Sequence, residues 1–107
     1  MTFQALDLSI DLIRSLRSPV EVLRSRDPAL HKQIRAAASS VALNLGEGNR
    51  RVGADRLHHF RIAAGSAEEV RTALRVAEAW GDLEMVAITG PLQLLDRLLG
   101  ILWRLVH

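Results

Sequence analysis

Apolar side chains recur every three or four positions along nearly the whole chain, which is the spacing of an amphipathic helix. No stretch alternates with the period of a strand, and no segment repeats. The pattern predicts four helices, over approximately 3–25, 28–47, 54–80 and 83–107. The positions predicted to face the core are Leu6, Ile10, Ile13, Leu16 and Val20 in the first helix, Leu30, Ile34, Ala37, Val41 and Leu45 in the second, and Phe60, Ala63, Ala67, Val70, Leu74 and Ala77 in the third.

Prolines indicate where these helices begin or are disturbed. Asp27 followed by Pro28 is typical of a helix start, with the aspartate as N-cap and the proline in the first turn. Pro19 removes a backbone hydrogen bond, so the first helix either kinks near Ser15 or restarts at Ser18, and we favour the kink. Gly90–Pro91 predicts an interruption of the fourth helix.

The last predicted helix is too apolar to pack one face and expose the other. From Pro91 to His107, ten residues are Leu, Ile, Val or Trp and only three are charged. The side facing the bundle is predicted to carry Leu95, Leu98, Leu102 and Leu105. We expect self-association to cover the rest, and the candidate contacts between copies are Leu94, Ile101, Trp103 and, from the third helix, Trp80. An amphipathic helix lying on a membrane would carry more Lys and Arg along its polar face.

Four helices joined by short connections predict an all-α protein, a four-helix bundle with one domain over residues 1–107. The chain has no Cys, which excludes disulfides, thiolate zinc sites and a cysteine nucleophile. No apolar run approaches about 18 residues, so no membrane span or membrane partner is expected. The first residues lack the basic start and apolar block of a signal peptide, which makes the cytoplasm the default location.

Positive charge is concentrated in the first part of the chain. The formal net charge is +2, but between Arg14 and Arg61 ten Lys or Arg residues stand against four acids. This segment indicates either a phosphate-binding surface or a solvated arginine-rich surface. No aromatic residues are interleaved for base stacking, so binding would be directed to the nucleic-acid backbone, with little sequence specificity. The candidate residues are Arg50, Arg51, Arg56 and Arg61 in the densest stretch, extended by Arg14, Arg17, Lys32 and Arg35.

No pattern of residues indicates an enzyme, a metal site or a cofactor. His58 and His59 are adjacent and lie about 100° apart on a helix, so they cannot share a metal as residues four positions apart could. A single Asp55-x-x-His58 falls short of the paired Glu-x-x-His motifs of di-iron bundles. There is no glycine-rich phosphate loop and no recognisable catalytic triad.

Several small and polar residues have a structural interpretation. At the end of the second helix, Gly48 can adopt a left-handed conformation, while Asn44 and Glu47 can bind loop amides or a neighbouring helix. Alternatively, Glu47 pairs with Arg35 or Arg51 to shape an interface. Gly65-Ser66 in the middle of the third helix predicts a close helix crossing that compensates for the low helix propensity of glycine.

The segment from Gln33 to Gly81 resembles a known family. Its phrases QIRAAASSVALNLGEG, NRR and AAGSAEEV, followed by an apolar helical run to AWGDL, are similar to the small bacterial 23S rRNA intervening-sequence proteins. That family includes relatives of the accessory variability protein of diversity-generating retroelements. The family's recurring positions are occupied here by Gln33, Arg35, Ser40, Asn44, Glu47, Gly48, Arg51, Gly65, Ser66 and Glu69.

This resemblance implies an antiparallel up-and-down bundle assembled as a ring-shaped homo-oligomer, typically a pentamer. It also implies no catalytic activity. In the retroelement relatives the ring is a basic platform for RNA or DNA and for a partner reverse transcriptase. Most members have no assigned function.

Overall fold

A computed structural model describes residues 3–107, and the protein in this range consists of four α-helices without strands. Each predicted helix end lies within two residues of the end observed in the structure. The connections consist of Asp27 alone, residues 50–52 and residues 80–84. The helices are α1 (Gln4–Arg26), α2 (Pro28–Asn49), α3 (Gly53–Ala79) and α4 (Met85–Val106).

Each helix packs against two others, in the cyclic order α1, α2, α3, α4 and back to α1. One apolar core therefore runs along the axis of a bundle about 42 Å long. All the core positions predicted for α2 and α3 are buried. The contacts between these two helices run in opposite chain directions, since Ser40 meets Ser66, Asn44 meets His59 and Gly48 meets Phe60.

The stripe predicted for α1 is partly wrong. Ile10 is 36% exposed, and Leu6 and Ile13 are only half-buried. Because α1 packs against both α2 and α4, its buried face points between those two helices. It is therefore rotated away from the predicted stripe of Leu6, Ile10 and Ile13. The residues of α1 that are buried there are Ala5, Leu8, Ser9, Leu12, Leu16, Pro19, Val20 and Leu23.

The ends of the helices are fixed by local hydrogen bonds. The Asp27 carboxylate accepts a hydrogen bond from the Leu30 amide at 3.1 Å, and Pro28 occupies the first turn, as predicted. Gly81 ends α3 with a φ of +80°, a conformation that favours glycine. The backbone N–H groups of Gly81 and Asp82 then donate to the carbonyls of Glu78 and Ala77, both at 2.9 Å. These bonds turn the chain from α3 toward α4.

Neither internal proline ends its helix. Pro19 and Pro91 are both buried inside continuous helices, so the alternative restart at Ser18 and the predicted interruption at Gly90–Pro91 are wrong. Proline costs a helix one hydrogen bond. Packing of the turns on both sides against the core offsets that cost.

The inner face of α4 differs from the prediction at its last turn. Leu95, Leu98 and Leu102 are fully buried, but Leu105 is 38% exposed, because Val106 is the residue of the last turn that faces the core. By length and composition alone, α4 is apolar enough to cross a membrane, which corrects the expectation that no segment is. Only 28% of the apolar window of α4 is buried in the bundle, through the inner face that carries Leu95, Leu98 and Leu102.

Candidate nucleic-acid interface

Two arginines of the loop after α2 are held by carboxylates of their own chain. Arg50 Nη2 lies 3.1 Å from Glu47 Oε2. Arg51 sits between two acids, with its Nη1 3.0 Å from Asp55 Oδ2 and its Nε 3.5 Å from Glu47 Oε2. The hydrogen bond and the positive charge of Arg50, with a further contribution from Arg51, lower the pKa of Glu47 below its ordinary value. Of the two partners considered for Glu47, Arg51 is therefore correct and Arg35 is not.

Arg56 is used to close the end of α2. Its Nε donates to the Gly48 carbonyl at 3.1 Å, and its Nη2 donates to the Asn49 carbonyl at 3.0 Å. The guanidinium also lies 6.0 Å from the centre of the Phe60 ring. A cation at a helix C-terminus satisfies the last carbonyls and interacts favourably with the helix dipole. Arg56 is thus a structural residue of the turn between α2 and α3.

Gly48 allows α2 and α3 to approach each other closely. A Cβ at this position would lie 2.7 Å from Phe60 Cε1. The residue is buried within α2 and has no positive φ, so the predicted left-handed conformation is wrong. The close approach predicted at Gly65 is also wrong, because a Cβ there would meet nothing within 4 Å.

A chain of polar side chains links α2 to α3 beside this contact. Ser66 Oγ donates to Ser40 Oγ at 2.9 Å, and Asn44 Nδ2 donates to Ser40 Oγ at 3.2 Å. Asn44 Oδ1 lies 2.9 Å from His59 Nδ1, and His59 Nε2 lies 4.0 Å from Asp55 Oδ1. The role of His59 was missed by sequence reasoning. The signal in the sequence is one of spacing. His59 and Ser66 are seven residues apart and lie on one face of α3, opposite Ser40 and Asn44, which are four residues apart on α2.

A different group of basic residues is left available, along α1 and α2. Arg14, Arg17 and Arg35 line an open groove between the two helices. Arg14 is paired with Asp11 at 3.1 Å, whereas Arg17 and Arg35 have no ion-pair partner within residues 3–107. Lys32, one turn before Arg35 on α2, is likewise exposed and outside the ion pairs of this range. Arg17 and Arg35 are thus the arginines of the groove that are exposed and outside the ion pairs of residues 3–107.

The predicted basic surface is divided into two parts. Arg35 and Arg50 are fifteen residues apart, which corresponds to about 22 Å along α2. The part near the loop contains Arg50, Arg51 and Arg56, all engaged within the chain. Arg61 is exposed on α3 and has no ion pair among the residues the structure describes.

The residues predicted to join copies of the chain do not form one patch. Leu94 and Ile101 are half-buried and pack against the core of their own chain. Trp80 is 73% exposed and Trp103 is 62% exposed, so neither is a core residue. Trp80 precedes α4, while Trp103 lies in its last turn and stacks on His107 at 3.5 Å. The two tryptophans thus mark opposite ends of α4.

Three remaining positions are on the surface. Gln33 on α2 and Gly65 and Glu69 on α3 are exposed. Within residues 3–107, no group of three or more His, Cys, Asp or Glu side chains is arranged to hold a metal ion.

The geometry of α2 and α3 accounts for most of the residues on which the resemblance rests. A family model described as 23S rRNA-intervening sequence protein matches residues 3–103. The chain belongs to this family. The match extends over all four helices, well beyond the segment from Gln33 to Gly81. No curated protein and no solved structure matches the chain. In this member of the 23S rRNA-intervening sequence protein family, Ser40, Asn44, Glu47, Gly48 and Ser66 form or border the junction of α2 and α3.

Proposed function

We propose that this 23S rRNA-intervening sequence family protein is a non-enzymatic scaffold that binds nucleic acid through the phosphate backbone. The observation that carries the proposal is the positive charge of Arg17, Lys32 and Arg35 on α1 and α2, which are exposed and outside the ion pairs of residues 3–107. Arginine forms bidentate hydrogen bonds with phosphate, and such contacts bind without reading sequence.

Assembly of several copies is part of the same proposal. One chain with a net charge of +2 offers few phosphate contacts, but linked copies of a weak site bind with much higher avidity. An antiparallel up-and-down bundle, closed into the pentameric ring that the family resemblance implies, would repeat the α1–α2 surface around its circumference. The opposite chain directions of α2 and α3 and the exposed Trp80 and Trp103 support this arrangement.

The proposed partners are RNA or DNA, a second copy of the chain and a reverse transcriptase. The last of these rests on the resemblance to retroelement relatives alone. We place the protein in the cytoplasm, where intracellular nucleic acid is accessible. No cofactor is required for this function.

A salt titration of the purified protein tests the proposal. Labelled single-stranded RNA, structured RNA and duplex DNA are titrated with protein, and binding is followed by fluorescence anisotropy. We expect submicromolar binding that weakens steeply with salt, because several phosphates are engaged at once and their counterions are released. Absence of binding at low salt contradicts the proposal.

One observation favours a different function. Glu47 pairs with Arg50 and Arg51, Asp55 pairs with Arg51, and Arg56 is bound to backbone carbonyls, so three of the four arginines in the densest basic stretch are occupied within the chain. A purely structural or protein-interaction module would need these arginines only for folding. This alternative predicts an intact oligomer that binds none of the three nucleic acids.

A further inference from the structure

The groove between α1 and α2 has charged and polar walls over a buried floor. On α1 it extends from Ile13 to Glu21, about two turns of helix. Exposed polar residues line both sides of it, with Arg14, Arg17 and Ser18 on α1 and Arg35 and Ser39 on α2. Because Arg14 is paired with Asp11, the positive charge of the groove comes from Arg17 and Arg35, with Glu21 as the acid among the lining residues.

The floor of the groove consists of core residues, and Ile13 on its α1 wall is the lining apolar residue that is half-buried rather than buried. Leu16, Val20, Ile34 and Ala38 line it, but each is at most 5% exposed because it already packs in the core. An amphipathic helix binds a groove by burying its own apolar anchors in pockets. Such a helix would gain little here. The ligand class that matches the exposed atoms is a chain of phosphates, recognised by guanidinium groups and hydroxyls.

The width of the groove selects one strand over two. Packed helices lie 8–10 Å apart from axis to axis, and the major groove alone of a DNA duplex is about 12 Å wide. A duplex therefore stays above the rim, where it meets only the tips of the arginines. One strand can follow the groove and meet both walls, with guanidinium planes available to stack on its bases.

We infer that the α1–α2 groove binds a single strand of RNA or DNA, with Arg17 and Arg35 holding its phosphates from opposite walls. This inference rests on the proposed function and specifies its site and substrate class. It also assigns the loop residues Arg50, Arg51 and Arg56 to the fold rather than to the ligand.

Charge-neutralising substitutions in the groove test the inference. The R17Q/R35Q variant is titrated with a labelled single-stranded oligonucleotide and with the duplex of the same sequence, at several salt concentrations. Losing two charged contacts should weaken single-strand binding by at least about tenfold. The slope of log K against log salt should become shallower by about 1.4. The matched control is R75Q/R97Q, which removes the same charge from exposed positions on α3 and α4 that have no ion pair within residues 3–107, and its affinity should stay within about twofold of the parent.

Each other outcome overturns a different statement. Strong binding by the parent that R17Q/R35Q leaves unchanged places the site elsewhere and leaves the proposed function intact. Equal or tighter binding of the duplex rejects a strand lying in the groove. Displacement of the strand by a polyglutamate peptide at equal concentration shows that the groove recognises acidic protein instead. Failure of the parent to bind any nucleic acid overturns the proposed function itself.

Discussion

The side chain of Arg51 shows why a count of charges does not locate a binding surface. Its spacing of four residues from both Glu47 and Asp55 is visible in the sequence, and within a helix that spacing brings side chains together. A loop separates these residues here, however, so only the folded turn shows that one guanidinium bridges the end of α2 and the start of α3. Arg51, which the sequence suggests is available to bind phosphate, is therefore already paired with two carboxylates of its own chain.

The ion pairs of Glu47 make the stability of this turn depend on pH. Its pKa is lowered in the folded protein by the hydrogen bond and charge of Arg50 and by Arg51, so folding favours the ionised carboxylate. The stabilisation is present above the ordinary glutamate pKa of about 4.3 and is lost as pH falls through the lower folded value. We therefore expect E47Q to be less stable than the parent protein at pH 7. That difference should shrink below about pH 4.3.

Urea unfolding at a series of pH values measures this difference. The control is E69Q, which removes an exposed carboxylate that has no ion pair within the described residues. Its stability should follow that of the parent protein. A stability gap between the parent and E47Q that persists unchanged in acid would contradict an ionic contribution from Glu47.

At the scale of elements, the sequence predicts α2 and α3 better than α1 and α4. The stripes of α2 and α3 are unambiguous because small or polar residues separate them. In α1, apolar residues form two overlapping stripes, one through Leu6 and Ile13 and the other through Leu8 and Leu12. Only packing against both α2 and α4 selects the second stripe. Helices α1 and α4 continue through Pro19 and Pro91 for the same reason. Their packing against the rest of the bundle outweighs the backbone hydrogen bond that each proline removes.

The candidate site is predictable in part. The basic residues of α1 and α2 follow from the local excess of charge, but the groove between Arg17 and Arg35 requires two helices to be placed side by side. The polar chain through Asn44 and His59 likewise joins residues fifteen positions apart. Periodicity within one helix cannot predict which residue of the next helix lies opposite.

The contact between α2 and α3 leads to opposite predictions for two glycines. G48A places a methyl group against Phe60, which is itself buried, and should lower the free energy of unfolding by about 1–3 kcal/mol. G65A adds a methyl group in open space within a helix and should raise the same free energy by up to about 1 kcal/mol. Urea denaturation of both variants measures the contrast. Equal stability of G48A and G65A would reject the close contact.

At the scale of the whole molecule, the groove arginines and the exposed tryptophans lie in different places. Arg17 and Arg35 line the groove between α1 and α2, whereas Trp80 and Trp103 lie beside the two ends of α4. Met85 and Trp103 are eighteen residues apart, or about 27 Å along a helix. A neighbouring copy lying along α4 could contact both ends and leave the α1–α2 groove open. Self-association and nucleic-acid binding are therefore compatible in one assembly.

This separation predicts the effect of surface substitutions on assembly. The parent protein should be oligomeric at micromolar concentration, because large exposed apolar residues favour association. W80Q/W103Q should shift the oligomer toward monomer, as measured by light scattering over a range of concentrations. The matched control is L43Q/V52Q, which replaces two residues that are 72% and 81% exposed on α2 and the following loop. All four residues are exposed, so neither variant should change the far-UV circular dichroism of the monomer.

The two variants distinguish an interface along α4 from association driven by exposed apolar residues anywhere on the surface. Dissociation by W80Q/W103Q alone assigns the interface to α4 and its preceding turn, because the control removes a similar number of exposed apolar side chains. Dissociation by L43Q/V52Q alone would move the interface to α2, where it would compete with a strand bound beside Arg35. A monomeric parent protein would reject the ring, and single-strand binding would then depend on one groove with the affinity of one copy.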